Sequence, residues 1–279
     1  MARIFLGRGR KKSGDDTQNA HRQTIPEIVT PVLRDSDILL EILDARFIDE
    51  TRNKEIEAVI KERGKVVIYI INKIDIADIN AVKEKIQLEN LHPYILFSCK
   101  YRRGLRNLRT LIKIETKRQG WRNTRVGVIG YPNTGKSSVI NLLVGKQVAR
   151  VSSESGFTKG IQHIRLSKGI VLLDTPGIIP AKENSMINTK DLTKHTQISV
   201  RTWDKVKDPD IILYELMKKY PKIIQQHYNL KEDDDINKLI EEVGRRKNFM
   251  IKGGKIDTDR AARQILKDFQ EGKIRIQGL

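Results

Sequence analysis

Gly130-Tyr131-Pro132-Asn133-Thr134-Gly135-Lys136-Ser137 carries the strongest structural signal in the chain. Its spacing is GxxxxGK[ST]. The apolar run Val126–Ile129 immediately before it has strand length, and Val139, Ile140, Leu142 and Leu143 after it give a helix beginning near Lys136. A strand that turns through glycines into a helix leaves successive backbone N–H groups pointing inward around a phosphate, and the helix N-terminus adds a partial positive charge. In such a loop Lys136 reaches the β- and γ-phosphates of a nucleotide and the Ser137 hydroxyl holds Mg²⁺. Asn133, Thr134, Gly135 and Ser138 belong to the same cradle.

Downstream, Asp174-Thr175-Pro176-Gly177 follows the strand-like run Ile170–Leu173. A carboxylate at the end of a buried strand can hold a water on Mg²⁺, and a glycine N–H three residues on can meet the γ-phosphate. Between the two motifs lies Ser155-Gly156-Phe157-Thr158-Lys159-Gly160, where Thr158 is the candidate for a threonine that binds Mg²⁺ only when the γ-phosphate is present. Upstream, the run Val66–Ile71 leads into Asn72-Lys73-Ile74-Asp75, and Ile95–Phe97 leads into Ser98-Cys99-Lys100.

Strand-length runs at 38–43, 66–71, 95–97, 126–129 and 170–173, with helical patterns at 51–62 and 78–90 between them, predict an α/β fold with a mostly parallel sheet covered on both faces. Gly160–Leu166 is expected as a further strand near the sheet edge. After Pro180 the pattern is helical. Ile236, Leu239, Ile240 and Val243 recur at helical spacing with Gly244 expected to close the helix. Asp257 is expected to cap another helix carrying Ala262, Ile265, Leu266 and Phe269 and stopping near Gly272. The organisation expected is a basic, aperiodic segment over 1–24, a nucleotide-binding α/β domain over 25–182, and a helical domain over 183–279.

The 279 residues, 38% hydrophobic, are enough to bury a real core. Lys and Arg exceed Asp and Glu by 53 to 35, a formal charge of +18, which points to a polyanion partner: RNA, DNA or an anionic membrane. Cys99 is the one cysteine, so an intrachain disulfide is excluded, in keeping with a reducing cytosol. The first residues contain no apolar stretch of signal-peptide length, and the longest apolar run, Val66–Ile71, is far too short to span a bilayer. The chain is therefore expected to be cytoplasmic, without a membrane partner, and monomeric.

Asn72-Lys73-Ile74-Asp75 and Ser98-Cys99-Lys100 resemble the NKxD and SAK motifs of GTP-binding proteins. That resemblance implies that Asp75 accepts from the N1 and N2 hydrogens of guanine, that the Lys73 stem lies on the ring, and that the Cys99 backbone N–H meets O6. Adenine offers no such donor pair, so ATP would leave Asp75 unpaired. In ordinary GTPases the phosphate loop precedes the base-reading motifs, whereas here it follows them. The chain thus resembles a circularly permuted P-loop GTPase with a helical C-terminal domain. Asp44-Ala45-Arg46 closes an early strand as in the YlqF/YawG group of ribosome-assembly GTPases. Asp208-Pro209 to Tyr228, Gly253-Gly254-Lys255-Ile256-Asp257, Arg260, Asp268-Phe269 and Gly272-Lys273 are similar to that group's helical domain, so the likeness spans about residues 25–275.

This resemblance implies hydrolysis of GTP to GDP and phosphate, used as a checkpoint in large ribosomal subunit assembly, with rRNA as partner. The sister group that acts on the small subunit carries an N-terminal oligonucleotide-binding barrel and a zinc site, for which this chain has neither the room before residue 36 nor the several cysteines needed. Two rival readings stand beside it: a signalling-type switch with a protein effector, and a non-enzymatic RNA-binding assembly protein stabilised by GTP. Basic stripes favour RNA. Between Lys100 and Arg125 the only acid is Glu115, and Arg102, Arg106, Arg109, Lys113 and Lys117 fall along one helical face beside the apolar Leu105, Leu108 and Ile112. Arg245, Arg246, Lys247, Lys252, Lys255, Arg260, Arg263 and Lys267 form a second candidate surface. Aromatics make up 5% of the chain, so contact with the backbone of folded RNA is favoured over base stacking.

Ile178 stands where many GTPases carry a water-orienting glutamine, so the isolated protein is expected to hydrolyse slowly. Relatives of this type are thought to use an N-terminal histidine, and His21 is the candidate for that role here. Asn133 resembles the corresponding residue of potassium-dependent GTPases, which implies K⁺ beside the phosphates.

Overall fold

The computed structural model describes residues 30–145, 162–174, 194–198, 202–231 and 233–276. Strand β1 (Ile38–Asp44) is buried along its whole length and lies in the interior of the sheet. It pairs in parallel with β2 (Val66–Asn72) on one side and β4 (Thr124–Ile129) on the other. Adding β3 (Tyr94–Leu96), β5 (Gln162–Ser167) and β6 (Ile170–Asp174) gives a six-stranded sheet of order β3-β2-β1-β4-β6-β5. All pairings are parallel except β5 with β6, so the strand expected near the edge lies at it, antiparallel. Near-continuous apolar runs such as Val66–Ile71 suit parallel strands because helices cover both faces.

Alternation along each strand divides the core in two. Leu39, Leu43, Tyr69 and Ile71 pack against α1 (Thr30–Asp35), α3 (Lys54–Glu62) and α4 (Ile79–Leu88). Leu40, Ile42, Ile68, Ile70, Val126 and Val128 pack against α5 (Leu105–Arg118) and α6 (Lys136–Val144). The helix expected over 51–62 is two helices, α2 (Ile48–Thr51) and α3. The break falls at Asn53, whose side chain accepts from the Ile56 N–H and so starts α3 afresh. Asp78 caps α4 in the same way, accepting from Asn80 and Ala81.

The C-terminal residues are helical: a turn at 194–197, a 3₁₀ turn Trp203–Lys205, then α7 (Pro209–Lys219), α8 (Ile223–Tyr228), α9 (Ile236–Arg246) and α10 (Thr258–Gln270). Asp257 caps α10 by accepting from Arg260 N–H at 3.0 Å. Gly244 does not close α9, contrary to the expectation from its sequence. The helix continues to Arg246, and a Cβ on Gly244 would lie 2.4 Å from Ile256 Cγ2, so glycine is there for close packing. The core of this unit, built on Leu213, Leu216, Ile240, Val243, Ile265 and Leu266, also takes in Phe47, which follows β1, and Tyr131 of the phosphate loop.

Candidate nucleotide site

In a doubly wound sheet, ligands bind beyond the carboxyl ends of the strands where the strand order reverses. Here the chain passes from β1 outward to β2 and β3 and then returns on the other side of β1 as β4, so the crevice lies between β1 and β4. The loops after β2, β3 and β4 converge there, and these are the three loops carrying Asn72–Asp75, Ser98–Lys100 and Gly130–Ser137.

Asn72 ties them together. It is 2% exposed, donates Nδ2–H to the Thr134 carbonyl at 2.8 Å, and accepts at Oδ1 from the Cys99 N–H at 3.4 Å. Its amide is thus spent on the protein and positions both neighbours. Gly135 makes this approach possible: its φ is +102°, and a Cβ would stand 2.3 Å from Asn72 Nδ2. Asp75 lies in the 3₁₀ turn Ile74–Ile76, half-buried, and its Oδ1 accepts from Ser98 Oγ at 2.6 Å, which fixes the carboxylate. Burial pushes the Cys99 thiol up to about 11, with Asp75 adding to the shift, so it stays neutral beside that carboxylate.

Lys136, 7% exposed, opens α6 and donates from Nζ to the Tyr131 carbonyl at 2.7 Å, where Thr134 Oγ1 also donates at 2.9 Å. Ser137 follows in the first turn of α6, presenting a hydroxyl oxygen of the kind that the hard Mg²⁺ prefers. Asn133 has φ 60° and lines the same cavity as Asn72, Lys73, Asp75 and Lys100, with a volume of about 670 Å³. A nucleotide-sized ligand fits a pocket of that size. Ser138 and Gly135 also line it.

The structure assigns a place to a triplet that the sequence offers only as a likeness. Asp44 is fully buried and accepts from Arg46 Nε at 3.0 Å, Arg46 Nη2 at 2.8 Å and Lys73 Nζ at 2.8 Å. Burial alone would raise the Asp44 carboxyl, but Arg46 and Lys73 outweigh it and hold the group well below the usual carboxylate range. Burial lowers the Lys73 ammonium, with Asp44 offsetting part of the effect. Arg46 then reaches out of the sheet: its Nη1 donates to the carbonyls of Phe269 at 3.2 Å and Gln270 at 3.3 Å, in the last turn of α10. The one sequence signal for this network is an acid and a base two residues apart at a strand end.

Three candidates, His21, Thr158 and Gly177, lie outside the described residues, as does Ile178. Asp174 ends β6, where its backbone pairs with Gln162, and its side chain lies outside the described residues as well. Among the basic candidates, Arg102, Arg106, Lys113 and Lys117 are exposed. Glu115, the one acid in that stretch, is 6% exposed, so the solvent face of α5 is cationic. Arg109 is committed within the protein: it donates to the Leu142 and Leu143 carbonyls and so caps the end of α6. Arg263 is committed too, donating to the carbonyls of Trp203, Asp204 and Val206 and pairing with Asp259. Arg260 lies over the Phe249 ring at 4.3 Å, and Lys252 and Lys255 are exposed on the turn between Met250 and Ile256. Among the described residues no cluster of three or more His, Cys, Asp and Glu side chains is placed to hold a metal, and no helix is long and apolar enough to cross a membrane.

The family described as 50S ribosome-binding GTPase matches residues 125–251. An uncharacterized GTP-binding protein of Methanocaldococcus jannaschii is 34% identical over 253 residues, 90% of this chain and 66% of the relative. Nucleolar GTP-binding protein 2 of Saccharomyces cerevisiae is 32% identical, covering 87% of this chain and 50% of the relative, so the chain spans less than two thirds of either of these proteins. Ribosome biogenesis GTPase A of Bacillus cereus is 29% identical across 88% of this chain and 86% of its own. Among solved structures, GNP-bound YlqF from T. maritima superposes with a TM-score of 0.61 at 24% identity over 89% of this chain and 95% of that one, a likeness of fold.

Proposed function

The chain belongs to the YlqF/YawG family of circularly permuted GTPases, and on that premise we propose that it binds GTP and GDP, hydrolyses GTP to GDP and phosphate, and serves as a checkpoint on the large ribosomal subunit. The observation that carries the reading is the Asn72–Thr134 hydrogen bond, which brings a base-reading loop and a phosphate loop to one cavity.

In this reading Asp75, oriented by Ser98, accepts from guanine N1 and N2, while Lys73, anchored on Asp44, lays its stem along the ring. Cys99 and Lys100 flank the base. The backbone of Asn133–Gly135 and the N-terminus of α6 cradle the phosphates, and Lys136 exchanges the Tyr131 carbonyl for the β- and γ-phosphates. Ser137, Thr158 and, by way of a water, Asp174 would hold Mg²⁺, which would supply positive charge against the phosphate oxygens. K⁺ beside Asn133 would add positive charge in the same place. The Gly177 N–H meets the γ-phosphate, and His21 is the candidate to position the attacking water, since Ile178 has no group for that purpose. Residues 25–182 form the nucleotide domain and 183–279 a helical RNA-binding domain.

RNA contact is assigned to the exposed α5 face with Arg102, Arg106, Lys113 and Lys117, and to Lys252, Lys255 and Arg260. It is supported by the inward turn of Glu115. The cellular site is proposed as the cytoplasm and the working form as a monomer.

Turnover measured with and without purified large subunits, in matched K⁺ and Na⁺ buffers, tests this reading. Large subunits and K⁺ are expected to accelerate hydrolysis. Equal rates in all four conditions would defeat the checkpoint role, and stimulation by small subunits in a parallel assay, with none by large subunits, would move the protein to the sister group.

A further inference from the structure

The cavity that holds Asp75 has a second side. Besides the base-reading and phosphate loops it is lined by Thr202, Trp203, Asp204, Gln270 and Glu271, all from the helical domain. Among the described residues, Trp203 is the one aromatic ring in the lining.

This wall is held by bonds that leave it little freedom. Gln270 uses both ends of its amide: Oε1 accepts from the Trp203 N–H at 3.2 Å, and Nε2 donates to the Thr196 carbonyl at 2.7 Å. Arg263 Nη1 gathers the carbonyls of Trp203, Asp204 and Val206 at 3.1, 3.2 and 2.9 Å. From the nucleotide domain, Arg46 grips the end of α10 through the Phe269 and Gln270 carbonyls while its other nitrogens hold Asp44, the partner of Lys73. Directly after α10, Gly272 meets Ile76 so closely that a Cβ would stand 2.6 Å from Ile76 Cδ1. Ile76 ends the turn that carries Asp75. The last turn of α10 is therefore docked on the base-reading loop itself.

We propose that the helical domain completes the guanine pocket, with Trp203 as a base-stacking residue on its outer wall and Gln270 positioning it. This rests on the guanine reading of Asp75 given above. The indole is half-buried, with Lys267 Nζ over its ring at 5.3 Å, and it lines the cavity. It shares the cavity with Asp75 and Ile76, the end that would take the base, and a purine ring beside an indole gains stacking contact that is tolerant of base identity. Asp75 then supplies the discrimination, and Trp203 supplies affinity that depends on the helical domain being docked. A guanine nucleotide held in this way is gripped by both domains at once, and its departure removes a contact between them.

The test uses the full chain carrying Trp121→Phe, so that Trp203 is the remaining tryptophan, with GDP, ADP and pyrophosphate as probes. GDP binding is followed by calorimetry and Trp203 emission in parallel. Saturating GDP is expected to shift Trp203 emission, while pyrophosphate and ADP leave it unchanged. Trp203→Ala is expected to weaken GDP about tenfold, and Trp203→Phe to recover most of the loss. Calorimetric GDP binding with unchanged Trp203 emission would overturn the wall but leave the guanine reading intact. So would a GDP affinity for Trp203→Ala within twofold of the parent, or an equal emission shift with pyrophosphate. Absence of calorimetric GDP binding by the parent chain would overturn both.

Discussion

The Asn72 amide donates to the Thr134 carbonyl at 2.8 Å across 62 residues of sequence, joining the loop after β2 to the loop after β4. That bond is indifferent to which loop the chain visits first. It depends on β1 standing between the two strands, and the order β2-β1-β4 supplies this. A circular permutation therefore leaves the site intact, because the sheet and not the chain order sets the distances between loops.

Asp75 should set the choice of base. Asp75→Asn replaces an acceptor with an amide that also donates, so xanthine nucleotides are expected to gain on guanine nucleotides by about a hundredfold or more in relative affinity. Competition binding of GDP and xanthosine diphosphate measures it, and an unchanged ratio would remove Asp75 from base recognition.

Arg46 should be costly to truncate. Arg46→Ala leaves the buried Asp44 with Lys73 as its one cationic partner, beside the backbone N–H of residue 46, and releases the end of α10, which is expected to cost about 3–5 kcal/mol. Arg46→Lys keeps the charge but cannot serve Asp44 and two carbonyls together, so an intermediate loss is expected. Denaturant titration reads both, and a wild-type midpoint for Arg46→Ala would contradict the network.

Glu41 makes stability depend on pH. Its side chain is 1% exposed on β1; Oε1 accepts from Asn53 N–H at 2.9 Å, and Oε2 has no hydrogen-bond partner among the described residues. Burial first, and then the neighbouring Glu57, raise its pKa well above the usual range. The folded protein thus keeps a proton that the unfolded chain releases, so stability falls as pH rises from the ordinary carboxylate range toward the raised value. Glu41→Gln removes this loss. It is expected to melt a few degrees above wild type at pH 8, with the gap closing toward pH 5. A gap that does not change with pH would show that Glu41 does not titrate across this range.

The α5 face should govern RNA affinity. Arg106, Lys113 and Lys117 are exposed, so changing all three to Ala should leave the fold unaltered. The slope of log K against log salt for large-subunit rRNA is expected to shallow by roughly 0.7–0.9 per lost phosphate contact. An unchanged slope would place the RNA elsewhere.

What the sequence determined by itself was local. The apolar runs became strands within a residue or two, Asp257 became a cap, and the GxxxxGK[ST] spacing became a turn into α6, because these outcomes depend on bonds within a few residues. The motif order alone implied the permutation. The tertiary structure decided which charges are free and what surrounds the site. Arg109 and Arg263 read as surface cations, yet their guanidinium groups meet carbonyls 34 and 60 residues away. Gly244 read as a helix end, yet Ile256 lies against it. Arg46 meets Phe269 across 223 residues, and Trp203 comes to the nucleotide cavity only when α10 docks beside Ile76. No periodicity encodes such contacts, because each is fixed by how two separately patterned surfaces pack and by the need of buried charges and carbonyls for partners.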